Sequence, residues 1–183
     1  MSARLFAALE LPAPVRRRLA AFGRAAAARD SGLRASREDA LHLTLAFLGH
    51  RALDEIDPAR EAVRAAAGSP APLLTLAGPL WLGPRRPHVL TVGLQDADDV
   101  LTGLQAGLVE RLADALPWQP ETRPFRPHVT VARVRNGWRP RIDDLPEAPQ
   151  ATFTAGAVVL FRSHLGGGGP SRYEALERAE LTS

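Results

Sequence analysis

One short pattern occurs twice in this chain, and it limits what the chain can become. Leu41-His42-Leu43-Thr44-Leu45 lies in the first quarter, and Pro127-His128-Val129-Thr130-Val131 lies in the last third. Each is His-x-Thr-x inside an apolar run. A strand sends residues i and i+2 to the same face, so His42 projects with Thr44, and His128 with Thr130. Two such strands facing each other would place two imidazoles and two hydroxyls around one small ligand. With five His and nine Thr in 183 residues, chance would produce two such pairs on the order of 2% of the time. The bland alternative is a pair of half-buried strand histidines satisfied by nearby backbone, with Thr present because it favours strands. The functional alternative is a phosphodiester site: one His removes a proton, the other donates one, and the hydroxyls hold phosphate oxygens.

Composition narrows the chemistry. All 23 basic residues are arginine, which excludes a covalent lysine, a lysine-bound AMP and a Walker lysine. There is no cysteine, hence no disulfide, thiolate metal site or cysteine nucleophile. No His-Glu-x-x-His or clustered carboxylate pattern supports a metal site. The net charge of +3 is modest and the arginines are spread along the chain, so a local phosphate-binding groove is expected, not a duplex-binding stripe. No apolar run approaches a membrane span. The opening residues reach Glu10 without a signal-peptide core, so the cytoplasm is the expected location. The length fits one domain, residues 1–183, built as two small lobes that share a core.

Periodicity predicts strands at 4–9, 41–48, 73–82, 88–94, 127–134, 152–162 and 172–181, with Gly49 ending the second. It predicts helices at 12–30, at 57–67, and from a cap at Asp98 or Asp99 to 116. In the first motif strand, alternation turns Leu41, Leu43, Leu45 and Phe47 to one face and His42, Thr44 and Ala46 to the other. The second half repeats strand, helix, His-strand. Strands and helices mixed in this order suggest an α+β architecture.

These segments together resemble the 2H phosphoesterases, and within them the RNA 2′,3′-cyclic phosphodiesterases, also called 2′-5′ RNA ligases. Residues 4–12, LHLTLAFLG at 41–49 and FRPHVTVAR at 125–133 are similar to that family's opening strand and two motifs. Leu160-Phe161-Arg162-Ser163, the Gly166–Gly169 run and Tyr173-Glu174 are similar to its C-terminal signature. The resemblance implies a bilobal fold with pseudo-two-fold symmetry, antiparallel sheets and a central cleft. It implies hydrolysis of RNA ends bearing a 2′,3′-cyclic phosphate to 2′-phosphomonoesters, without metal or nucleotide cofactor, and possible reversible 2′-5′ joining.

By the same resemblance His128 activates water as proton acceptor and His42 is the proton donor to the departing 3′ oxygen. Thr44 and Thr130 would donate hydrogen bonds to non-bridging oxygens, and Arg133 would clamp phosphate. Simple alternation sets Arg133 opposite His128, so its role requires a bend or a strand end. Phe6, Arg126 and Tyr173 are further substrate-binding candidates, with Phe125 similarly open, and core packing competes for Phe6. His50, His88 and His164 lack a Thr partner and are assigned to the surface or the scaffold. The Gly166–Gly169 run reads as a loop. Two other readings remain open at this point. One is a phosphodiesterase of a small cyclic phosphate or 2′-5′ oligonucleotide. The other is an RNA-end binding module without turnover. A monomer with no obligate protein partner is expected, because the cleft is complete within one chain.

Overall fold

The computed structural model describes residues 1–83, 86–141, 143–164 and 172–182. Among them the chain forms β1 (Ser2–Leu9), α1 (Ala13–Arg29), β2 (Leu33–Ala35), β3 (Leu43–Ala52) and α2 (Ile56–Arg64). It continues with β4 (Leu73–Leu82), β5 (Val89–Asp96), α3 (Val100–Ala115) and β6 (His128–Val134), and ends with β7 (Thr152–Thr154), β8 (Ala157–His164) and β9 (Arg172–Glu180). Short 3-10 turns occupy Glu38–Ala40 and Leu53–Glu55. The pairs are antiparallel and run in the order β7-β4-β5-β6-β3-β1-β8-β9, with β2 added against β6. The fold is α+β, and its sheet divides at the centre into two halves of four strands each, β2 being a fifth beside β6.

The two motif strands are that centre. β3 and β6 meet through a single facing pair, Leu43 with Val129, and both side chains are fully buried. The helices cross over. α1 follows β1 but packs on β6 and β2, whereas α3 follows β5 and packs on β3 as well as β5 and α2. Each motif strand is therefore backed by a helix from the other half. α1 comes very close: a Cβ on Gly23 would stand 2.4 Å from the Val131 carbonyl oxygen. Its buried face is Val15, Leu19, Ala20, Phe22, Gly23 and Ala26, and Pro14 suits the first turn because the missing N–H there has no helical partner.

Several expectations change. β3 begins at Leu43, not 41, and runs past Gly49 to Ala52. Gly49 sustains the strand instead of ending it, because its φ of 71° accommodates a bulge at Leu48. The strand expected at 152–162 is two strands in opposite halves of the sheet, β7 on one edge against β4, and β8 between β1 and the far edge strand β9. The chain passes between them at Ala155–Gly156, where Ala155 N–H donates to Pro72 O (3.2 Å) and Leu181 N–H donates to Gly156 O (2.8 Å). The sheet is curled enough for its edges to meet there. Asp99 does not cap α3, since it lies in the left-handed region with no side-chain cap. The Asp96 carboxylate takes that place, accepting from the N–H groups of Leu101 (3.1 Å) and Thr102 (2.8 Å). α2 ends at Arg64, three residues early. β2 has no counterpart among the predicted strands. Among the described residues no helix is long and apolar enough to cross a membrane.

Candidate active site

Because Leu43 faces Val129 in an antiparallel pair, a local two-fold axis passes between them. It sets His42 toward Thr130 and Thr44 toward His128. Leu43 and Val129 point into the core, so the four polar side chains take the opposite face, as the i, i+2 spacing predicts. All four are partly buried.

The two histidines are held in the same way. His42 Nδ1 lies 2.9 Å from the Ala40 carbonyl oxygen, and His128 Nδ1 lies 2.6 Å from the Arg126 carbonyl oxygen. A carbonyl can only accept, so each Nδ1 carries the hydrogen and each Nε2 is left for chemistry. His42 stands just before β3, after the 3-10 turn at Glu38–Ala40 that presents the Ala40 carbonyl. Backbone satisfaction of the histidines therefore accompanies a chemically available ring nitrogen. Among the described residues neither the Thr44 nor the Thr130 hydroxyl has a protein partner.

The rings differ in their surroundings. His42 packs against Phe6 (centroids 4.8 Å apart), Tyr173 (5.3 Å, edge-on) and Phe161 (6.2 Å). Burial pushes its pKa down from 6.5 to about 4. The Ala40 hydrogen bond opposes that fall, and the charges of Arg133 and His128 add to it. His42 is thus neutral at pH 7 in the free protein.

Matching bulges reposition two further side chains. Ala8 faces Thr44 and Ala7 faces Ala46, leaving Leu45 unpaired. Thr91 faces Thr130 and Leu90 faces Ala132, leaving Val131 unpaired. Each bulge falls three residues after its His and reverses the alternation beyond it. Arg133 consequently shares the face of Thr130, close enough for its charge to act on His42, which supplies the bend its role required. In β3 the same shift overturns the core assignment of Phe47, which is 64% exposed and lies 6.2 Å from Phe6. Phe47 and Arg133 occupy equivalent places in the two repeats. Phe47 was not a sequence candidate; the repeat alignment with Arg133 was the available signal.

The remaining candidates divide. Tyr173 stands beside His42. Phe6 is only 4% exposed and stacks on Phe161 at 5.3 Å, so it supports the His42 ring from beneath. Arg126 brings its backbone carbonyl to His128 while its side chain is exposed. Phe125 packs on the core. His164 pairs with Glu174 at 2.8 Å and is exposed, as is His50; His88 lies just before β5. Gly166–Gly169 lie outside the described residues. Among the described residues no three His, Asp or Glu side chains gather closely enough to hold a metal ion.

Residues 12–167 match the model of the 2′-5′ RNA ligase superfamily. The chain belongs to that superfamily. It is 33% identical over 134 residues to an RNA 2′,3′-cyclic phosphodiesterase of Geobacillus stearothermophilus, an alignment covering 70% of this chain and 42% of that protein. The chain thus spans less than half the length of this relative. Among solved structures it superposes on TT0787 of Thermus thermophilus with a TM-score of 0.82 and 27% identity over 97% of each chain. It superposes on Escherichia coli LigT complexed with 3′-AMP with a TM-score of 0.78 and 25% identity over 100% of each chain. The superfamily's curled antiparallel fold therefore accounts for the whole described chain, both motif strands included.

Proposed function

We propose that this cleft hydrolyses RNA 2′,3′-cyclic phosphate ends to 2′-phosphomonoesters and supports 2′-5′ joining by transesterification, in which a 5′-hydroxyl takes the place of water and the bond from phosphorus to O3′ again breaks. The observation that carries this reading is the matched pair of histidines. Each is fixed at Nδ1 by a carbonyl two residues back, and the two stand diagonally across one strand pair, each toward the other motif's Thr. The cyclic phosphodiesterase relative and the solved LigT complex with 3′-AMP support a nucleotide phosphate as substrate.

In hydrolysis, His128 Nε2 takes a proton from water as the oxygen attacks phosphorus. The bond from phosphorus to O3′ breaks, and His42 Nε2 gives O3′ its proton. Burial keeps His42 neutral in the free protein, so it acquires that proton when the anionic phosphate enters and raises its pKa. The Thr44 and Thr130 hydroxyls and the Arg133 guanidinium hold the non-bridging oxygens as charge builds on them. Phe47 offers an exposed ring on which a base can stack, next to Phe6. No step requires a metal.

The test is a short RNA bearing a 2′,3′-cyclic phosphate, incubated in EDTA with wild type, His42→Ala and His128→Ala. The product end is mapped by phosphatase sensitivity and mass. The expected product is a 2′-phosphate, with each variant slower by about a hundredfold or more. No conversion by folded wild-type protein overturns the reading, and so does an activity that EDTA abolishes.

A further inference from the structure

β2 brings a second cation to the cleft. It pairs with β6 so that Arg34 stands directly opposite Arg133, and directly opposed residues of neighbouring strands share a face. The flanking pairs are Leu33 with Val134 and Ala35 with Ala132. Leu33 and Ala132 belong to the core, and Val134 packs against it. Arg34 and Arg133 therefore both point to the cleft side, and both are exposed.

Two like charges directly opposed in a sheet are destabilising. Among the described residues neither guanidinium meets a carboxylate or another hydrogen-bond acceptor. Elsewhere the chain pairs its arginines, for example Arg29 with Asp144, Arg64 with Glu177 and Arg178 with Glu10. An unneutralised pair beside a phosphate cleft is a site for an anion.

Its place is defined by the strand. Ser36 N–H donates to Val131 O (2.8 Å), so the chain from Arg34 to His42 follows the same edge of β6. Because Val131 bulges, Arg133 is two rungs from Thr130, about 7 Å along the strand. A cyclic phosphodiester carries one negative charge, and Arg133, two hydroxyls and two imidazoles already serve it. Arg34 exceeds what that group needs. The other half offers no match: Phe47 stands where Arg133 would be, and no described strand flanks β3 as β2 flanks β6.

We propose that Arg34, with Arg133, binds the next phosphate, the one on the 5′ oxygen of the terminal nucleotide. The polyanion then leaves the cleft on the β6 side, and the protein prefers RNA ends to isolated nucleoside cyclic phosphates. This inference rests on the cyclic-phosphate reading above. It is tested with adenosine 2′,3′-cyclic phosphate, its 5′-phosphorylated form, and a dinucleotide ending in the same cyclic phosphate. The second phosphate is expected to raise kcat/KM by about tenfold or more in wild type. Arg34→Ala should erase that gain, Arg34→Lys should keep part of it, and added salt should diminish it. Equal losses on all three substrates, or no loss on any, overturn the subsite. A gain with the 5′-monoester that is absent for the dinucleotide overturns the RNA-chain reading.

Calorimetric binding of adenosine 2′-phosphate and adenosine 2′,5′-bisphosphate separates the two levels of inference. An Arg34-dependent preference for the bisphosphate in a protein that hydrolyses nothing leaves the subsite and removes the reaction. Hydrolysis without that preference does the reverse.

Discussion

A histidine packed against aromatic rings loses affinity for a proton, and His42 is such a residue. Its pKa lies near 4, against 6.5 for a free imidazole. An NMR titration of the free protein should find that midpoint, and saturating adenosine 2′-phosphate should move it upward, because a nearby anion favours the imidazolium. A free-protein midpoint near 6.5 would remove the burial argument. The same shift makes stability depend on pH. Between pH 6.5 and pH 4 the unfolded chain takes up a proton that the native ring refuses, so stability falls as pH falls through this window. The loss is roughly 3 kcal/mol, and urea midpoints of His42→Asn should lack it. The histidines and threonines were legible because a period of two is local. Phe47 and Arg34 were not, since the face of one depends on a bulge and the pairing of the other on a distant strand.

At the scale of elements, the contact between α1 and β6 ties the scaffold to the chemistry. Helix propensity alone predicts that Gly23→Ala stabilises α1 by about 1 kcal/mol. The Val131 carbonyl oxygen, 2.4 Å from the added Cβ, predicts the opposite. The variant should lose about 1–3 kcal/mol in denaturant titration, as overpacked cores do. Its kcat should fall too, because Val131 is the bulged residue between Thr130 and Arg133. A stabilised Gly23→Ala would show that the helix can move away from the strand at no cost. The helices were readable from spacing to within a few residues. The breaks were not. Nothing in the run from 152 to 162 marks Ala155–Gly156 as the passage from one half of the sheet to the other, since each half of the run satisfies the strand pattern equally well.

At the scale of the molecule, the crossed helices bind the halves together: α1 backs β6, and α3 backs β3. The edges also meet, with Thr182 N–H donating to Ser69 O (2.9 Å) and Gly68 N–H donating to Glu180 O (2.9 Å). The halves should therefore unfold in one transition. Far-UV circular dichroism in urea should coincide with hydrogen exchange from β1 and β5 amides, and a separated second transition would mean that the halves are independent. The sequence by itself determined the paired His-x-Thr strands, the α+β order and an apolar core face, because each depends on residues near one another in the chain. Only the tertiary structure decided the rest. It set the single Leu43–Val129 junction, the matched bulges that turn Arg133 and Phe47 to the cleft, and the burial that holds His42 neutral. It also brought Arg34 opposite Arg133. Register, bulges and burial are properties of surfaces that meet, and local preference does not encode which surfaces those are.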